Sequence, residues 1–474
     1  MRIAVFSLGP LFPAAVHGGS QRTLEAVVRH LADGGDEVSV YCTRRDDNEA
    51  AFALAPSAVV HPVLQFRQTY PEPYEAAPYQ LAAIVETLAE AAAGNDVFYV
   101  HDGELLYHFI YDAVPTVVSF QDFVYPTTLA GALSFRRDHL VLSSRYVRDC
   151  VEQTFDRFRP LPAERISVAP NGFDLTALRP VDASALRREL GLAPDALPIL
   201  YPHRPDPRKG ITESLDALLP VLDKLPDEQA NRVRLLVPVW MDAELDSPGA
   251  REYRGSYADV LRRAADAGRP GLVHLHPWVD SGRMHEYYSL GVLTLCVGSF
   301  VEAFGNASVE SQLCGTPAIV SRVGAQRSVL PEDLVAKVDH GDAARTGELI
   351  LAALSGAELY PYEALREYVA AEYGFTEMAR GYAEAIRGTR PQPALPALDL
   401  APEADSVRVP AWCATLSSGY YNDYSYGYAA DQRLVEVAAR CRGGALPVSG
   451  LADLAGPDDI SAWLHAGHLI GGRR

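Results

Sequence analysis

Short apolar runs alternate with stretches of helical periodicity along most of the chain, and they do so in two successive blocks. Arg2 to Ser7 is an apolar run of buried-strand type; from Ser20 onward, Leu24, Val27, Val28 and Leu31 mark one face of a helix. Gly34 and Gly35 stop that helix, and Glu37 to Thr43 reads as the next strand. A helix around Gln80 to Ala93 follows, with strands at Asp96 to His101, Thr116 to Phe120 and Ile166 to Ala169. After the turn signal Asn171-Gly172 the pattern restarts, with strands at Pro198 to Tyr201, Val233 to Val237, Gly271 to His276, Val292 to Val297 and Ala318 to Ser321. Helical patterns such as Ser214 to Leu225 and Tyr257 to Ala267 lie between them. Parallel strands need crossovers and helices supply them, so the alternation predicts an α/β chain of two doubly wound, Rossmann-like domains joined near residue 175. Ligands of such sheets bind at the carboxyl ends of the strands, so two facing domains make a cleft.

Composition bounds what can enter that cleft. With 474 residues, 48% hydrophobic, the chain has apolar material for more than one core. It carries 42 basic and 61 acidic residues, a net charge of -19, which excludes diffuse attraction to nucleic acid or to an anionic membrane surface. Any phosphate recognition must be local. Only Lys209, Lys224 and Lys337 are lysines among those 42 basic residues. Cys42, Cys150, Cys296, Cys314, Cys413 and Cys441 are far apart, without the spacing of a metal or redox pair, and read as small apolar fillers. The opening apolar stretch is too short for a signal peptide and no run is long enough to span a bilayer, so a cytoplasmic location is expected.

The most informative segment is residues 299–321, SFVEAFGNASVESQLCGTPAIVS. Gly305-Asn306 follows a strand, so a helix is expected to start near Asn306, aiming the free amides of residues 305–308, Ala307 among them, into the cleft. A pyrophosphate fits such a terminus. Glu302 and Glu310 would repel it unless they face hydroxyl groups, so sugar and ribose are their natural partners. Arg204 and Lys209, after the first strand of the second block, offer fixed cations to a leaving diphosphate. Lys209 stands out in a chain that otherwise uses Arg, because a compact ammonium sits between phosphate oxygens in a way a guanidinium does not.

These pieces together resemble the retaining GT-B glycosyltransferases, in particular glycosyltransferase family 4. Glu302, Phe304, Gly305, Glu310, Gly315 and Pro317 match its E-x7-E region, Gly18-Gly19 its Gly-Gly loop, Pro170 to Asp174 its P-N-G-x-D turn, and Arg204 to Gly210 its R-x4-K-G motif. Residues 373–388 resemble its terminal helix, which crosses back to the first domain. The resemblance implies residues 1–175, plus that helix, as an acceptor domain and 176–372 as a nucleotide-sugar donor domain. It implies a metal-independent, retaining transfer of a hexose or N-acetylhexosamine from a nucleotide diphosphate sugar, UDP favoured, to a small-molecule acceptor, such as one of specialised metabolism. The front-face course implied needs no protein nucleophile, no cofactor and no metal. Arg204, Lys209 and Glu302 would be its catalytic residues. Gly18, Gly19, His101, Gln121, Asp122, Phe304, Gly305, Asn306, Ala307 and Glu310 would hold the donor. Gln121-Asp122 stands where the family has His-Asp, and His101 is a nearby alternative. A nucleotide-sugar epimerase or a non-catalytic nucleotide-sugar binding protein is the alternative reading.

Acceptor recognition is expected from the first domain, from residues 66–80 and the stretch after Asp122, with Tyr125 and Arg136 as candidates. Residues 391–410 read as a Pro- and Ala-rich linker. Residues 411–474 read as a small, mainly helical appendage resembling a winged-helix module, too acidic for DNA and serving packing or a homodimer contact.

Overall fold

The computed structural model describes residues 1–13, 18–66, 76–103, 108–111, 114–136, 138–204, 206–239, 248–396, 398–399 and 405–471. The first block forms strands β1 (Arg2–Ser7), β2 (Glu37–Thr43), β3 (Phe52–Ala55), β4 (Ala58–Leu64), β5 (Val97–His101), β6 (Thr116–Phe120), β7 (His139–Leu142) and β8 (Ile166–Val168). They make one sheet in the order β3-β4-β2-β1-β5-β6-β7-β8, parallel except for the β3/β4 edge pair. The second block forms β9 (Leu197–Leu200), β10 (Val233–Pro238), β11 (Val273–His276), β12 (Leu293–Cys296), β13 (Ala318–Ser321) and β14 (Ala336–Val338), all parallel, in the order β11-β10-β9-β12-β13-β14. This is the doubly wound α/β class that the alternation predicts. Strands β3, β4, β7 and β14 were not foreseen. β4 alternates buried and exposed residues around His61-Pro62, as an edge-side strand does, and β7 and β14 are four and three residues long.

In each sheet the strand order reverses beside its first strand, between β1 and β5 and between β9 and β12. A crevice opens at such a switch point because the loops on either side leave to opposite faces. The helix Phe375–Gly388 belongs to the first domain's core: Met378, Tyr382, Ala383 and Ile386 are buried with Ile3, Val5 and Tyr99. A Cβ on Gly172 would lie 2.7 Å from Phe375 Cα, so glycine lets this helix return against the P-N-G turn.

The segment after that helix does not hang free. Leu395 is buried, its N–H donating to the Arg136 carbonyl at 2.8 Å, and the Gln392 N–H donates to Asp138 at 2.7 Å. The residues read as linker also contain a strand, Ser406–Arg408, central in a three-stranded sheet with Leu446–Pro447 and Ile470–Gly471. A second such sheet joins Cys413–Leu416, Gly419–Asn422 and Gly427–Tyr428. The appendage adds these short strands to its helices: Arg433–Arg440 and Pro457–His465 pack on them around Leu434, Val437, Leu451 and Trp463. The six cysteines are all buried free thiols, consistent with their reading as fillers. Among the described residues no helix is long and apolar enough to cross a membrane.

Candidate active site

Lys209 ends a one-turn 3-10 helix, Pro207–Lys209, on the loop leaving β9. Its placement depends on two glycines. A Cβ on Gly298 would fall 2.1 Å from the Arg208 carbonyl oxygen, and one on Gly210, already at φ 96°, 2.5 Å from the Gly298 nitrogen. The loops after β9 and β12 therefore touch backbone to backbone, tied by the Phe300 N–H donating to the Arg208 carbonyl at 2.8 Å. The Lys209 ammonium lies 3.5 Å from the Phe300 ring centre and donates to Glu302 Oε1 at 2.6 Å. Behind it, burial and then the Lys209 charge push His203 down to about 4, so its ring is neutral and leaves Lys209 as the cation.

Gly305, at φ 95°, turns the chain into the helix Asn306–Leu313. Its first residue meets the other domain: Asn171 Nδ2 donates to Asn306 Oδ1 at 3.0 Å, and a Cβ on Gly19 would lie 2.9 Å from Asn306 Nδ2. Gly18, at φ 96°, precedes the helix Gly19–Asp33. The two switch points thus face each other, with the Gly18-Gly19 loop, Asn306, the half-buried Ala307, Lys209 and Glu302 in one cleft. Arg204 joins them from the β9 side, donating to the Tyr125 hydroxyl at 3.3 Å, while the Tyr125 ring lies 6.2 Å from Phe300.

Both carboxylates of the E-x7-E pair face cations. Glu302 holds Lys209, and Glu310, its side chain 8% exposed, is paired with Arg22 of the opposite domain and accepts from the Tyr288 hydroxyl at 3.2 Å. A buried carboxylate needs a counter-charge until a ligand supplies hydroxyl groups. Arg22 was not singled out by sequence reasoning, although it lies one helical turn past Gly18-Gly19 and so faces the same cleft. Phe300 was also missed; it lies two residues before Glu302 without carrying a charge.

Other expected residues sit elsewhere. His101 is 1% exposed, with Nδ1 2.8 Å from the Tyr99 hydroxyl and Nε2 2.9 Å from Ser20 Oγ. Burial pushes it down to about 4, so it is a neutral prop beneath the Gly18-Gly19 loop. Phe304 is buried between Phe173 and Tyr373, ring centres 5.8 and 5.0 Å away, and packs the two domains together. Gln121 Nε2 donates to the Tyr382 hydroxyl at 2.7 Å, which ties it to the crossing helix. Arg136 lies beyond the far end of helix Pro126–Ser134, about 14 Å of helix from Tyr125, under Leu395. The fold therefore moves it away from the cleft. Residues 67–75, Arg137 and Pro205, which bear on the expected acceptor loops and motifs, fall outside the described residues.

A second acidic pair lies on the first domain's side. Asp102 sits at φ 65° at the end of β5, accepting from Ser20 Oγ and from the Gln121 N–H, each at 2.9 Å. Burial, and next the Asp122 charge, push Asp102 up to about 7; burial raises Asp122 as well, while Arg204 opposes that rise.

Solved structures that share this architecture are glycosyltransferases of the GT-B fold. Sucrose-phosphate synthase from Thermosynechococcus elongatus superposes with a TM-score of 0.61 at 19% identity, over 82% of this chain and 98% of that one. Anabaena HepE in complex with UDP and glucose does so with a TM-score of 0.61 at 18% identity, over 82% and 100%. Residues 17–177 match the Glycosyltransferase Family 4 model. A D-inositol 3-phosphate glycosyltransferase from Thermobispora bispora is 28% identical over 66% of this chain and 76% of its own length. D-inositol 3-phosphate glycosyltransferase 2 from Catenulispora acidiphila is 30% identical over 38% of this chain, a match spanning 41% of that relative's length. Over residues 17–177 the chain is thus similar to glycosyltransferase family 4, and its fold is that of the GT-B glycosyltransferases.

Proposed function

We propose that this chain is a retaining glycosyltransferase that moves a hexose or N-acetylhexosamine from a UDP-sugar to a small-molecule acceptor, of the kind met in specialised metabolism, without a metal. The reading is carried by one observation: the switch points of both sheets converge on Lys209, which is held between Phe300 and Glu302 opposite the Gly18-Gly19 loop. UDP is the favoured nucleotide because HepE, of the same fold, has been solved with UDP and glucose.

In this mechanism the bond from the anomeric carbon to the β-phosphate oxygen breaks, and a bond to the acceptor oxygen forms on the same face. The acceptor proton passes to the departing phosphate oxygen. The charge growing on that phosphate is met by Lys209, Arg204 and the amides after Gly305, which are fixed before the reaction begins. Glu302 and Glu310 exchange their cations for sugar and ribose hydroxyls as the donor enters. That exchange frees Lys209 and Arg22 toward the diphosphate.

Incubating the full chain with a panel of UDP-sugars and acceptors, with and without EDTA, tests the proposal. Transfer with retained anomeric configuration, unaffected by EDTA, is expected, and Lys209→Ala should lower turnover by about 10²- to 10³-fold. An inverted product or EDTA-sensitive turnover refutes the mechanism. An epimer formed from donor alone identifies an epimerase, and UDP-sugar binding without turnover identifies a binding protein.

A further inference from the structure

The appendage docks on both domains at once. Asp423 is fully buried where the three units meet: Arg327 of the second domain donates to both its oxygens at 2.7 and 2.6 Å, and the Tyr146 hydroxyl of the first donates at 2.7 Å. The Tyr424 hydroxyl reaches across to the Phe123 carbonyl at 3.0 Å, next to Asp122. Two residues on, Tyr426 accepts from Arg208 Nη1 at 2.9 Å, and the Arg208 guanidinium lies between the Tyr426 and Phe300 rings, 5.4 and 5.2 Å from their centres. Tyr426 holds φ 55°, which with Asp102 makes it one of two non-glycine residues in the left-handed region among the described residues. A side chain held there is fixed by its surroundings, and such backbone strain clusters at functional sites. Arg208 is already paired with Asp206 at 2.7 Å, so it does not need Tyr426 for charge balance. What Tyr426 adds is position: its hydroxyl and ring hold the guanidinium of Arg208, on the turn that carries Lys209, beside Phe300.

We propose that the Asp423–Tyr426 turn completes the cleft, with Tyr426 as a positioning residue that acts on Lys209 through Arg208. The appendage is then a working wall of the site and not a separate module on a tether. This rests on the reading that Lys209 meets the donor diphosphate.

Two variants of the full chain test it, Tyr426→Phe and Tyr426→Ala, each checked for an unchanged far-UV spectrum. The first readout needs no ligand: hydrogen exchange at the Lys209 and Gly210 amides, which donate to the Asp206 and Pro207 carbonyls, should quicken several-fold in Tyr426→Ala. The second is calorimetric titration with UDP, where losing the hydroxyl alone should weaken binding about two- to tenfold and losing the ring more. A role confined to docking the appendage would leave UDP affinity unmoved. Unchanged exchange at those amides overturns the proposal, as does unchanged UDP affinity in both variants when the wild-type chain binds UDP. If the wild-type chain binds no UDP but exchange still quickens, the positioning role stands and the diphosphate reading falls.

Discussion

Asp423→Asn keeps the shape of the side chain at the junction of the three units and removes its charge. Asp423 is fully buried and the Arg327 side chain is 16% exposed. The carboxylate accepts from both Arg327 Nη atoms and from the Tyr146 hydroxyl, and an amide offers only one accepting oxygen. Breaking a buried pair by removing one partner costs about 3–5 kcal/mol, because the remaining charge stays uncompensated. Arg327 retains donors to the Ala411 and Arg322 carbonyls, at 3.0 and 3.3 Å, which points to about 3 kcal/mol, the lower end of that range. The loss should concentrate in the appendage. Hydrogen exchange across residues 411–428 should quicken by about 10²-fold, the equivalent of that free energy, while β9–β13 keep their protection. Replacing both partners with apolar residues, Arg327→Met with Asp423→Leu, should recover part of the loss. Exchange in 411–428 changed by less than about twofold would refute the reasoning, and so would a loss spread evenly over the second domain.

Gly298→Ala should cost about 1–3 kcal/mol or more by denaturant unfolding and weaken UDP binding, because its Cβ would strike the Arg208 and Lys209 backbone at 2.1 and 2.4 Å and neither strand-end loop can retreat cheaply. An unaltered titration curve in a folded variant would separate Lys209 from the diphosphate. Asp102, with its carboxyl raised to about 7 in the folded chain, binds a proton there that the unfolded chain releases near its ordinary value of 3.8. The stability it contributes is therefore full below about pH 4 and is lost as pH rises through about 7. Compared with Asp102→Asn, the wild-type chain should lose stability across that window in denaturant melts at stepped pH, and parallel curves would show that Asp102 does not carry the shift.

The alternation of apolar runs with helical faces determined the α/β class and most strands. Period and crossover geometry are local properties, written residue by residue. Edge and short strands escaped, since Phe52–Ala55 and Ala336–Val338 offer too few residues to show a period. Gly18-Gly19, Lys209, Gly305 and Glu310 were also legible, because backbone turns and fixed charges leave marks in the sequence. Which partner each charge takes was decided only by the tertiary structure. Arg22 and Glu310 are 288 residues apart, and Arg327 and Asp423 are 96 apart. His101 and Phe304, adjacent in sequence to functional groups, are turned inward by their strand and loop, a burial that neighbourhood in the chain does not show. The appendage shows the same limit most plainly: it reads as a small module behind a linker, and only docking across both domains brings Tyr426 to Arg208. Such contacts depend on surfaces meeting after each unit has folded, which no local pattern encodes.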